Sequence, residues 1–264
     1  MTLKHTDETL LLVAHGSSRI GDNNPVAMQA RRLKALGIFK NVCCGFLKQA
    51  PLLADVLSEI QTEKLTVVPM LSGHGYITDT LIPEALENLD GTHNVRLCEP
   101  LGSHSGIAGI MAKHASSIIT AQNLDPEDVS ILVAAHGNPG NPENATQAKD
   151  LAGRIEILTN GIPSHAVFIE EQPLISNWPA ITTANNLIVL PFLIGGGLHE
   201  AADVPEMLGL DATDPLFDEL SHDTPFIGPL DAHNRSIWCC RALGFEPTVS
   251  DLILDLVDYQ SSST

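Results

Sequence analysis

The sequence predicts an α/β protein built as two tandem, doubly wound parallel-sheet domains related by internal duplication. Three observations lead there. The first is a repeat: LLLVAHGSS (Leu10 to Ser18) returns as ILVAAHGNP (Ile131 to Pro139), and GFLKQAPLL from Gly45 returns as VFIEEQPLI from Val167. Further on, VVPMLSGHGYITDTLIPEAL from Val67 is echoed by VLPFLIGGGLHEAADVPEML from Val189, and PLGSH at Pro100 by PLDAH at Pro229. All four matches run in one order, at offsets of 121 to 129 residues. The second observation is that segments such as LLLVA and LIVLPF are apolar throughout, as strands of a sheet covered on both faces must be. The third is proline placed where first helical turns are expected.

Taken in order, each half reads strand, loop, helix, strand, helix, strand, loop, helix, short strand, helix. Helices are expected to begin near Pro25, Pro51 and Pro83, and in the second half near Pro142, Pro173 and Pro205. The polar stretch TAQNLDPEDVS, Thr120 to Ser130, is the expected boundary between domains spanning residues 1–125 and 126–264.

Composition narrows the function. Hydrophobic residues at 44 %, charged residues at 17 %, 20 glycines and 17 prolines suit a globular chain with tight connections. No apolar run approaches the roughly 20 residues needed to span a bilayer, and MTLKHTDETLLLVAHGSS carries two acids before its strand-like run, so neither signal peptide nor anchor is expected. Cys43, Cys44, Cys98, Cys239 and Cys240 show no CxxC spacing and read as buried thiols of a reducing cytoplasm. A formal net charge of −18, with 14 Lys and Arg in all, excludes a general nucleic-acid binder. The acidic excess itself reads as a solvating surface.

Ligands of doubly wound sheets sit outside the carboxyl ends of the strands. His15 and His136 each follow the first strand of their half, and His74 and His199 lie in the Gly-rich loops after the third. The doubled AHG supplies a rigid strand to position an imidazole and a glycine that leaves room for a flat ligand; the plainer alternative is a helix-capping turn copied by duplication. In the second half His136, Glu170 or Glu171, and His199 come from three strand ends, and two imidazoles with a carboxylate suit Co²⁺, Fe²⁺ or Ni²⁺. In the first half Lys48 stands opposite Glu170, and alignment on the following prolines puts Ile77 opposite His199, with His74 three residues earlier. A metal ion beside Lys48 would be repelled, so the site is expected in the second half. Strand register decides between Glu170 and Glu171.

Strand-AHG, a strand ending in F-x-E, and a loop G-x-H-x-x-x-D-[IV]-P together resemble the class II tetrapyrrole metal chelatases, the sirohydrochlorin cobaltochelatases and ferrochelatases, in their fused two-domain form. The likeness spans nearly the whole chain and recurs in both halves. It implies a chelatase-like fold and insertion of a divalent metal, Co²⁺ ahead of Fe²⁺ or Ni²⁺, into sirohydrochlorin or a related ring of cobalamin or siroheme biosynthesis. His136, Glu170 and His199 would bind the metal and assist proton removal. The metal is then a substrate, no organic cofactor is expected, and the chain is a cytoplasmic monomer or homodimer. Lys48 and the shifted His74 depart from the pattern.

On this reading the ring lies between the domains and loses two pyrrole protons, which neutral imidazole and carboxylate can accept near pH 7. Its carboxylates are expected at backbone N–H groups around Ser17, Ser18 and Asn138 and at the helix starts that follow. Arg19, His15 and His74 are further candidates to line the ring, and Asp203 is expected to cap the helix after His199. Two rivals differ in class. A histidine phosphatase needs an arginine before the histidine, where Ala14 and Ala135 stand. A metal or tetrapyrrole carrier of the same fold would bind its ligand without forming a metallated product.

Overall fold

A computed structural model describes residues 5–16, 24–89, 91, 93–194, 203–220 and 224–261. The first half holds β1 (His5–Ala14), α1 (Pro25–Ala35), β2 (Phe39–Phe46), α2 (Leu53–Ser58), β3 (Lys64–Pro69), α3 (Ile82–Glu87), β4 (Asn94–Leu97) and α4 (Ile107–Gln122). Its sheet runs β2-β1-β3-β4 with every pairing parallel. The second half holds β5 (Val129–Ala135), α5 (Pro142–Leu158), β6 (Ser164–Phe168), α6 (Trp178–Ile181), β7 (Asn186–Pro191), α7 (Val204–Leu208), α8 (Leu216–Glu219), β8 (Phe226–Ala232), β9 (Arg235–Cys240) and α9 (Val249–Ser261). Its sheet runs β6-β5-β7-β9-β8, parallel except for the β8 edge.

The strands form as the apolar runs require. Leu10 to Ala14 of β1 and Ile131 to Ala134 of β5 have no solvent exposure, because helices cover both faces of each sheet. Pro25 and Pro142 open α1 and α5, each behind an asparagine whose side chain accepts from the first turn: Asn24 from Val26 and Ala27, Asn141 from Glu143. Pro83 and Pro205 lie in the first turns of α3 and α7. After Pro51 and Pro173 the helices start later, α2 at Leu53 and α6 at Trp178 behind a 3₁₀ turn.

One expected repeat is corrected. Pro229 lies in β8, an antiparallel edge strand with no counterpart among the described residues of the first half, so PLDAH does not correspond to PLGSH. The strand equivalent to β4 is β9, since each pairs in parallel with the third strand of its sheet. The true echo of Leu101-Gly102 is Leu243-Gly244, both in 3₁₀ turns. A Cβ on Gly102 would run into the Ser72 carbonyl, and one on Gly244 into that of Ile194.

Two compact units result. One joins the chain up to His104 with the segment from Gly244 onward; the other joins Ser105–Leu193 with the segment ending at Leu243. The last helix of each half therefore serves the other half's sheet: α9 packs on α1 and β3, and α4 on α5 and β7. In the first unit fully buried Gln29 of α1 donates to the carbonyls of Gly244 and Glu246, each at 2.8 Å, and accepts from the Ser250 hydroxyl at 2.6 Å. At the amino end of that sheet, buried Glu8 joins His5, Arg96 and Thr66, and His5 reaches Asp258 of α9 at 3.3 Å. No described helix is long and apolar enough to cross a membrane.

Candidate metal site

The carboxyl ends of β5 and β6 bring two of the expected residues together. His136 follows β5 directly, and its carbonyl accepts from the backbone N–H of Glu170 at 3.0 Å, tying the two strand ends. The side chains then lie side by side, with Glu170 Oε2 3.7 Å from His136 Nδ1, and both are about half exposed. His136 Nδ1 also lies 3.0 Å from the Gly137 carbonyl. A carbonyl only accepts, so Nδ1 carries the hydrogen, and the neutral ring keeps its lone pair on Nε2, the nitrogen that can bind a metal.

Gly137 makes that turn possible. Its φ is +78°, and a Cβ there would lie 2.9 Å from Cγ of Glu171 and 3.1 Å from Cβ of Phe168. The same distances separate the two acids: Glu170 stands beside the imidazole, while Glu171 tucks under Gly137, its Oε1 buried with no hydrogen-bond partner among the described residues. His199 lies outside the described residues. Among the described residues no three His, Cys, Asp or Glu side chains gather as a metal centre.

The first half repeats the backbone with other side chains. Lys48 N–H donates to the His15 carbonyl at 2.9 Å, His15 Nδ1 lies 3.0 Å from the Gly16 carbonyl, and Gly16 has φ +79°. Lys48 thus occupies the position of Glu170, and Gln49 that of Glu171, with Gln49 Oε1 accepting from Asn24 Nδ2 at 3.3 Å. His74 is engaged elsewhere, Nδ1 at 3.1 Å from Asp79 and Nε2 at 2.7 Å from Glu99. Those carboxylates, Asp79 first, raise its pKa above the ordinary histidine value, and His74 in turn lowers that of Asp79.

Other expected contacts fare differently. Ser17, Ser18 and Arg19 lie outside the described residues. Asn138 is exposed, and its Oδ1 accepts from the Gly140 N–H at 2.9 Å, closing the turn after Gly137. N–H groups at the starts of α1 and α5 are already taken by Asn24 and Asn141; an asparagine directly before each proline was the sequence signal for both caps. Asp203 does not cap α7 with its side chain, because its own backbone is helical, with φ −67° and ψ −42°.

Known proteins match along the whole duplicated arrangement. A family model described as CbiX matches twice, over residues 9–118 and 130–259. A probable sirohydrochlorin cobaltochelatase of Halobacterium salinarum is 27 % identical over 271 residues, covering 94 % of this chain and 90 % of the relative. Among solved structures, a multi-domain Deinococcus radiodurans protein with structural similarity to chelatases is 26 % identical with TM-score 0.68; the match covers 94 % of this chain and 54 % of the longer one. The sirohydrochlorin chelatase SirB of Bacillus subtilis subspecies spizizenii, solved with cobalt, shares the fold at 16 % identity and TM-score 0.67, over 97 % of this chain and 95 % of its own. With two consecutive matches that together span nearly the full length of the two sheets, this chain belongs to the CbiX family.

Proposed function

We propose that the protein is a chelatase that inserts a divalent metal ion, Co²⁺ ahead of Fe²⁺ or Ni²⁺, into sirohydrochlorin. The observation that carries this reading is the His136–Glu170 pair, fixed at two adjacent strand ends in the half that keeps the F-x-E and G-x-H-x-x-x-D-[IV]-P patterns. The Halobacterium relative is named as a probable sirohydrochlorin cobaltochelatase, which supports both ring and metal.

The metal is a substrate here. His136 Nε2, a Glu170 oxygen and His199 are the ligands assigned to hold it, three groups that leave coordination positions open for the ring nitrogens. As the metal enters, two pyrrole N–H bonds break, each electron pair stays on its nitrogen to bind the metal, and each proton passes to a neighbouring base. Carboxylate and neutral imidazole are competent acceptors near pH 7.

The test is an anaerobic absorbance assay of sirohydrochlorin with Co²⁺, Fe²⁺ or Ni²⁺. Metallation is expected to accelerate with the intact chain and to collapse in His136→Ala and His199→Ala, while His15→Ala and His74→Ala retain turnover. Ring or metal binding without product would instead identify a carrier, and loss confined to the His15 and His74 variants would move the chemistry to the first half.

A further inference from the structure

The unit that holds His136 and Glu170 carries five Lys and Arg, namely Lys113, Lys149, Arg154, Arg235 and Arg241. Lys113 lies on α4, and Lys149 and Arg154 lie on α5. Arg235 opens β9, where its guanidinium donates to the carbonyls of Thr182 at 2.6 Å and Pro179 at 3.4 Å and sits 5.1 Å from the Trp178 ring centre. Arg241 follows the last residue of that strand, and its backbone N–H donates to the Pro225 carbonyl at 3.1 Å. Of the five, Arg241 alone stands at the carboxyl end of a strand, the side on which parallel sheets bind ligands. Between Arg154 and Arg235 the chain has 12 Asp and Glu and no Lys or Arg, so an anionic ligand of this unit has few cations to choose from.

Arg241 shares its sheet and its sheet end with His136 and Glu170. Parallel pairing sets Cys239 level with Val189 of β7, and Val189 level with Leu132 of β5. Two residues further along, Arg241 is level with Ala134, and His136 lies another two residues on, about 7 Å along the strand direction. Sideways, β9 is two strand spacings from β5, about 10 Å. That is about one Debye length at 0.1 M salt, so a guanidinium there repels an ion on His136 only weakly. The first half has an acid at the matching position. Since Leu101-Gly102 and Leu243-Gly244 correspond, Glu99 matches Arg241, and Glu99 lies 2.7 Å from His74 Nε2. The charge after the fourth parallel strand is thus reversed between the copies, and the copy with the His136–Glu170 pair is the one that is basic there.

We propose that Arg241 is a substrate-binding residue that takes an acidic side chain of the tetrapyrrole at the carboxyl end of β9. The identity of the ligand rests on the chelatase reading, in which the substrate carries eight carboxylates. A flat ring centred on an ion at His136 extends sideways over the neighbouring strand ends, and its acidic groups lie on the rim. A guanidinium meets a carboxylate with two parallel N–H donors, which fixes the orientation of the ring as well as adding affinity. One sheet end then divides two tasks by distance: β5 and β6 present the groups for the metal, and β9 presents the cation for the anionic rim.

The experiment uses the full chain and two separate titrations, metal-free sirohydrochlorin followed by fluorescence, and Co²⁺ followed by calorimetry. Arg241→Gln is expected to weaken ring binding about fivefold to tenfold and Arg241→Glu more, with a shallower salt dependence in the uncharged variant. Arg241→Lys keeps the charge but loses the fork, and is expected to recover part of the affinity. Co²⁺ affinity stays within about twofold of the parent in all three. Ring affinity in Arg241→Glu within about twofold of the parent overturns the assignment of Arg241 alone, as does a parallel fall in Co²⁺ affinity. If Arg241→Glu does not fold, the other two variants decide, and equal ring affinity in Arg241→Gln and Arg241→Lys overturns it. Failure of the unmodified protein to bind the ring overturns both this assignment and the chelatase reading.

Discussion

Replacing Glu170 by lysine copies into the second half the residue that the first half already carries, and its cost follows from the geometry. Glu170 Oε2 lies 3.7 Å from His136 Nδ1, and a carboxylate still about 4 Å from the ion, before it closes on it as a ligand, sets a lower bound on the Coulomb term. Two unit charges at that distance interact by about 1 kcal/mol in bulk water and about 4 kcal/mol near a protein surface. Because both side chains are half exposed, the watery limit is the safer one, and a divalent ion doubles it to about 2 kcal/mol. The ammonium then adds a repulsion of about 1–2 kcal/mol, weaker than the lost attraction because a lysine turns its charge outward. A total of about 3–4 kcal/mol weakens Co²⁺ binding by two to three orders of magnitude. Calorimetric titration measures it, and an unchanged melting temperature controls for folding at this exposed position. Co²⁺ affinity in Glu170→Lys within about threefold of the parent would refute the argument and remove Glu170 from the metal site.

Further expectations follow from single contacts. Gly137→Ala forces a left-handed alanine against Phe168 and Glu171 and is expected to cost about 2–5 kcal/mol in urea denaturation; Gly161→Ala, at φ +89° with nothing near its Cβ position, should lose only the backbone part, about 1–2 kcal/mol. Gln29→Ala strips partners from the Gly244 and Glu246 carbonyls and the Ser250 hydroxyl, all held by a fully buried amide, and is expected to cost about 2–5 kcal/mol. His74, whose pKa is raised by Asp79 and Glu99, contributes stability that is complete below its ordinary value of 6.5 and fades as pH climbs through the higher folded value. The melting-temperature gap between the parent and His74→Gln should therefore narrow between pH 6 and 9, and a constant gap would contradict the pairing.

Strands and the first helix of each half were legible because their signals are local: unbroken apolar runs, and proline behind asparagine. The neighbourhood of His136 and Glu170 was legible for the same reason, since parallel pairing of β5 with β6 fixes which strand ends adjoin. Choosing between Glu170 and Glu171 was not, because both lie past the end of β6, where alternation no longer governs direction. PLDAH misled because a short match of Pro, Leu and His ignores strand direction, and β8 runs antiparallel. Asp203 misled because a residue can stand before a proline and already be helical. Least legible was the destination of α4 and α9. Their apolar faces announce burial, but the sheet that buries them is decided by packing across more than a hundred residues of chain.

That exchange has a topological consequence. Val249, Ile253 and Val257 of α9 are completely enclosed, with Leu252 and Leu256 nearly so, and exposing five such side chains forfeits about 8–15 kcal/mol, as much as an entire domain commonly possesses. Neither copy of the repeat is thus a self-sufficient module, for each surrenders its final element as a lid for its sibling. Severing the polypeptide between Thr120 and Ser130 would yield two fragments that are obligate complements, clasped like linked hands. A fused gene makes the clasp intramolecular, so partner search drops out of assembly and the two copies are inherited, and unfold, as one.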